Sequence, residues 1–113
     1  MGTSEERVAR NEAVFREFNE RVEAVADSFD VQGEGQSQRI EFVCECGRLD
    51  CLDRIELTRA QYEAVRADPR RFVVVPGHED PRVARAVEQQ PRFLVVEKLD
   101  HAAEVAVEHD PRS

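Results

Sequence analysis

The chain has 113 residues, 35% of them charged, with 16 basic against 24 acidic side chains and a net charge of -8 at pH 7. That length suits one domain with a core of its own, and the acidic balance disfavours nucleic acid over a broad basic face as well as anionic membrane surfaces. No apolar run approaches the roughly 18 residues of a spanning helix; the acidic start Met1-Gly2-Thr3-Ser4-Glu5-Glu6 is unlike a signal peptide, and the expected compartment is the cytoplasm.

From Glu5 to about Asp27 there is no Gly or Pro, and Val8, Phe15, Phe18, Val22, Val25 and Phe29 recur at heptad intervals, with Asn11 at the one polar position of the seam. The spacing predicts an amphipathic helix over residues 1–30, capped by Thr3 or Ser4, with Glu6 completing a capping box from Thr3. Two packings suit the seam. The helix lies along its own domain, or it forms an arm that pairs with its copy in a homodimer or with a protein partner, as in a coiled coil. A membrane-surface helix is disfavoured, because its polar face lacks the Lys/Arg excess such helices use.

Residues 31–38 are polar, aperiodic and contain Gly33 and Gly35, which marks a flexible linker. The remainder, 39–113, reads as a small α+β domain. Ile40, Phe42 and Cys44 alternate with Arg39, Glu41 and Glu45, predicting a half-buried strand with Glu45 on its outer face. Leu52 to Leu57 reads as a second strand, and Thr58 caps a helix running to Ala67 with Gln61 at its third position. Arg71 to Val75 is strand-like and stops at Pro76-Gly77. Pro81 is expected to open a short helix reaching Val87 or Gln89. Phe93 to Glu97 is another buried strand, and Ala102 to Val107 is either a short helix or an extended edge. The tail Glu108 to Ser113 is expected to be loose. Arg71-Phe72-Val73-Val74-Val75 is echoed by Arg92-Phe93-Leu94-Val95-Val96, each following a proline-containing turn, which is the pattern of two neighbouring strands. The expected fold is α+β: the N-terminal helical arm, then a small mixed or antiparallel sheet with short helices, built round a metal site.

All three cysteines lie in Cys44-Glu45-Cys46-Gly47-Arg48-Leu49-Asp50-Cys51. An odd number of cysteines in a reducing compartment argues against a disulfide framework and for a metal or thiol role. Cys44 and Cys46, two apart, leave the same face of a strand. Gly47 allows a positive φ that turns backbone N–H groups toward the sulfurs, and Cys51 returns a third ligand. His78, fixed by Pro76-Gly77, is the leading fourth ligand, with His101 the alternative and His109 incidental. A Cys3His set suits Zn2+ in a closed tetrahedral site. An iron-sulfur cluster, free redox thiols and an open catalytic zinc are the competing uses of the same residues. Glu79 beside His78 lacks the His-Glu-x-x-His spacing of a zinc hydrolase, since position 82 is Arg. Arg48 is placed to offset the negative charge of a three-thiolate site.

These residues resemble a family of small bacterial proteins from high-GC genomes. The resemblance rests on the helix Arg10 to Arg21, the Cys-x-Cys-Gly cluster with its third Cys, and Leu57-Thr58 with Tyr62-Glu63. It continues through Arg71 to Glu79, Val95 to Lys98 and the closing Asp110-Pro111-Arg112. It implies that Cys44, Cys46, Cys51 and His78 belong to a shared pattern, and it carries no activity with it. The function expected from the residues is a non-enzymatic, zinc-binding regulatory or adaptor module acting through protein contacts, with a redox sensor or a zinc hydrolase as alternatives.

Overall fold

The computed structural model describes residues 4–28, 39–48, 50, 51 and 53–112. The linker 31–38, the caps expected at Thr3 and Ser4, Phe29 of the seam and Leu52 of the second strand fall outside the residues or side chains described. The protein is α+β, in the order α1 (Ser4–Ser28), β1 (Arg39–Val43), β2 (Arg54–Thr58), α2 (Arg59–Arg66), β3 (Arg71–Val74), β4 (Ala84–Gln89), β5 (Leu94–Lys98) and α3 (Asp100–Glu108).

The described strands form two antiparallel sheets. In the first, β1 pairs with β2 in the register Arg39↔Thr58 to Val43↔Arg54, so Ile40, Phe42, Ile55 and Leu57 share the buried face. In the second, the order is β3-β5-β4, and the two echoing strands β3 and β5 are indeed neighbours, with Phe72 opposite Val96. Because β5 lies in the middle with both faces covered, its whole run Leu94 to Lys98 is buried. The sheets meet where Glu45 N–H donates to Val73 O at 2.9 Å. Phe42 stacks on Tyr62 of α2 between them, ring centroids 4.3 Å apart. The α2 start is the expected capping box: Thr58 Oγ1 accepts from Gln61 N–H, and Gln61 returns its side-chain oxygen to Thr58 N–H.

Two expectations are corrected and one open alternative is decided. Pro81 opens no helix: residues 81–83 form a turn, Asp80 accepting from Arg82 N–H, and Ala84–Gln89 then runs as an edge strand. The apolar strand β5 needs a second neighbour, and this tertiary demand outweighs the local helical pattern. Residues 102–107, left between helix and edge, are helical within α3. The tail is fastened. Arg66 binds Asp110 and Glu20, the latter at 2.6 Å, and Arg112 reaches Glu20, Glu23 and Glu63 at 2.6, 3.2 and 2.5 Å.

The helix α1 lies on the body, against α3 and β1, as a core helix and not a projecting arm, but the face it buries is not the predicted seam. Phe18 and Val25 of that seam are 47% and 57% exposed, while Ala9, Glu12, Arg16, Asn19 and Glu23 are buried. The buried stripe is the seam advanced by one residue, which is about 100° around a helix. The reason is the surface it meets, which offers polar groups. Asn19 donates to Val43 O and accepts from Val43 N–H, both at 2.9 Å, and donates to Glu45 Oε2 at 2.7 Å. Arg16 donates to Pro69 O at 2.6 Å and Ala106 O at 2.7 Å, and its guanidinium lies 4.6 Å from the Phe72 ring centre. Glu12 pairs with the buried Lys98. Buried polar groups persist only when paired in this way.

That polar layer sets the pH dependence of stability. Burial raises the Glu12 carboxyl from 4.5 to about 7, with Lys98 opposing it, and burial beside Glu63 takes Glu23 to about 7 as well. The folded chain therefore holds protons that the unfolded chain has released. Stability from these two groups is complete below pH 4.5 and is lost as pH rises to about 7. Arg112, Arg70 and Arg82 hold Glu63, Asp68 and Asp80 below their ordinary range, and that contribution is lost in acid. In the presence of a chelator, the urea midpoint should peak on the acid side of neutrality and fall toward pH 8. A midpoint rising from pH 5 to 8 would contradict this account.

Candidate metal centre

The ligand loop begins where β1 ends. Cys44 N–H still pairs with Asp53 O at 3.1 Å, continuing the ladder, and the chain then turns through Gly47 at φ +79°. Cys51 N–H closes the turn onto Arg48 O at 3.1 Å. From the other sheet, the turn after β3 is fixed by His78 N–H donating to Val75 O at 2.9 Å, which carries the imidazole to the loop. Glu79 takes the Gly77 N–H at 2.7 Å and so is engaged in its own turn.

The result brings Cys44, Cys46, Cys51 and His78 together, with one ligand atom from each lying within 4.8 Å of all the others. His78 Nδ1 is 3.5 Å from Cys44 Sγ and 3.6 Å from Cys51 Sγ. A tetrahedral ion with Zn–S of about 2.3 Å and Zn–N of about 2.0–2.1 Å separates sulfur from nitrogen by about 3.6 Å, and sulfur from sulfur by about 3.8 Å. The two histidine edges to Cys44 and Cys51 therefore already fit, and no pair needs to draw in by more than about 1 Å. His101 is exposed and pairs with Glu104, and His109 is exposed at the end of α3; neither belongs to the cluster. The four-donor set is one that can hold a metal ion.

Comparison with family models, with curated proteins and with solved structures finds no match to this chain. The site is therefore read from its own chemistry.

Val75 N–H donates to Cys44 Sγ at 3.2 Å, and Cys46 beside it holds the Arg48 guanidinium above its ordinary value. Without an ion, burial pushes the Cys44 and Cys51 thiols up, so binding a cation releases protons. The imidazole is oriented from behind by Asp53, whose Oδ2 lies 3.4 Å from Nε2. A carboxylate on that nitrogen keeps the proton there and leaves the Nδ1 lone pair for the metal. Replacing Asp53 with Ala should weaken zinc binding by about tenfold, read by competition with a chromophoric chelator; unchanged affinity would exclude this orienting role.

Sequence reasoning placed Glu45 outward, and the structure puts it in the core, fully buried between the two ligand cysteines. Its Oε1 accepts Val73 N–H at 2.9 Å, and its Oε2 accepts Asn19 Nδ2 at 2.7 Å and Tyr62 O–H at 3.3 Å. Gly47 has a second duty that only packing reveals. A Cβ there would lie 2.7 Å from Val8 O and 2.7 Å from Glu12 Cγ, and Asn11 donates to Gly47 O at 3.2 Å. Positive φ and close approach of α1 both demand glycine. Gly47→Ala should cost about 1–3 kcal/mol for the backbone alone and loosen α1 from the loop, measurable as a lower urea midpoint; a neutral substitution would refute the contact.

Proposed function

We propose that this protein is a zinc-binding regulatory or adaptor module that works through protein contacts and not through catalysis. One observation carries the reading: the Cys3His donors converge within 4.8 Å of one another, with Val75 N–H donating to Cys44 Sγ and a carboxylate behind the imidazole. Four protein ligands fill a tetrahedral shell and leave no position for substrate. The compactness of the set favours a single ion, since ligands to different irons are held apart by the cluster between them. Val14, Phe18 and Val25, exposed along α1, supply an apolar ridge suited to a protein partner or a second copy.

The test is metal analysis of protein purified without chelator. About one zinc per chain is expected. Iron with visible absorbance would replace this reading with the iron-sulfur or redox one, and a metal-free chain would overturn both. Contact through α1 is tested by sedimentation and pull-down of Phe18→Asp, an exposed substitution. Truncating residues 1–30 would instead strip the buried polar layer.

A further inference from the structure

The three sulfurs differ in access. Cys44 and Cys46 are 2% and 5% exposed, whereas Cys51 is only half-buried. Cys51 and Cys44 are among the residues that line an open cleft of about 300 Å³ between α1 and the β1–β2 hairpin. Its lining is mainly hydrocarbon, from Val14, Phe15 and Phe18 of α1 and Val43 of β1, with Asp53 and Arg54 as its charged members. A greasy cleft with a nucleophilic sulfur in its lining differs from the requirements of a structural ion, which gains nothing from a path to solvent.

Resting on the metal reading above, we propose that Cys51 is a modification site for organic hydroperoxides, whose hydrocarbon part lies in this cleft and whose reduction dismantles the ligand set. A thiolate held by a metal is the reactive form of cysteine. Cys51 Sγ attacks the terminal peroxide oxygen; an S–O bond forms, the O–O bond breaks, and the alkoxide leaves and takes up a proton as the alcohol. The sulfur is oxidised by two electrons and the hydroperoxide is reduced. A neighbouring ligand thiolate, Cys46 or Cys44, then attacks the Cys51 sulfur. An S–S bond forms, the S–O bond breaks, and hydroxide leaves to be protonated to water. Two thiolates, one hydroperoxide and two protons give one disulfide, one alcohol and one water. Two of the four ligands are consumed, and the ion is released.

Zinc-loaded protein is treated with cumene hydroperoxide or with hydrogen peroxide at equal concentration, and zinc release is followed with a chromophoric chelator. Both rates are referred to those of N-acetylcysteine. Normalised release should be roughly tenfold faster with the organic peroxide, in keeping with burial of its apolar surface, and mass spectrometry should find Cys51 in the disulfide. Phe18→Asp, altering the cleft wall and no ligand, should retain zinc and bring the two rates together. Equal rates in the unaltered protein, a Cys44–Cys46 disulfide that leaves Cys51 free, or zinc that stays bound would each overturn the proposal alone. A chain isolated without metal would overturn the metal reading and this one with it.

Discussion

Removing zinc is expected to lower folding stability by about 4 kcal/mol when the free ion had stood at a thousand times its dissociation constant. An ion at this site would take ligands drawn from both sheets, Cys44, Cys46 and Cys51 beside β1 and β2 and His78 after β3, so it would bind the folded chain far more tightly than the unfolded one. The chain should remain folded without it, because Phe42, Ile55, Leu57, Tyr62, Phe72 and Val95 supply most of the buried hydrocarbon of a core in which Cys44 and Cys46 are only two members. Urea titrations with zinc and with chelator measure the difference. Cys44→Ser should abolish most of it, showing a low midpoint in zinc and little further change on chelation. Coincident curves for the unaltered protein would remove the metal from the account of the fold.

Arg16→Met should destabilise the protein by about 2–6 kcal/mol. Methionine keeps an unbranched stem over Phe72, so the loss falls on polar groups. The guanidinium serves Pro69 O and Ala106 O, one in the turn between α2 and β3 and one in the last turn of α3, and each carbonyl left buried without a donor costs about 1–3 kcal/mol. Arg16→Lys should recover only part, since a single ammonium cannot reproduce a planar fork spanning two acceptors. The measurement is chemical denaturation in chelator, which isolates this effect from the metal. A loss under about 1 kcal/mol would mean that water replaces the arginine.

What the sequence made legible was what local chemistry decides. The Thr58–Gln61 capping box needs only four neighbouring residues, and β3 and β5 announce themselves as unbroken apolar runs. The four-donor cluster was legible because three of its members fall within eight residues of one loop, and because Pro76-Gly77 fixes the place of His78. Other features depended on what lay opposite. Apolar periodicity traces where hydrophobic residues are, and α1 turns that stripe sideways because the body offers it the Val43, Pro69 and Ala106 carbonyls and a buried carboxylate. Glu45 reads as a solvated strand residue until Asn19, Tyr62 and Val73 arrive from three other elements. Asp53 had a signal, an acidic residue two positions after a ligand cysteine, but its meaning depends on the direction of the His78 ring. Likewise β4 exists because β5 has an open edge.

The alternation at Cys44-Glu45-Cys46 bears on the order of assembly. Two side chains face the ion while the one between them is gripped by α1, α2 and β3, so the loop takes its final shape only after those elements have docked. Metal capture would then be a late event in folding, following closure of the contacts that bring Asn19 and Val73, far apart along the chain, onto Glu45. An unfolded or half-formed chain would present its cysteines as scattered weak ligands, and high-affinity binding would mark a molecule whose core is complete.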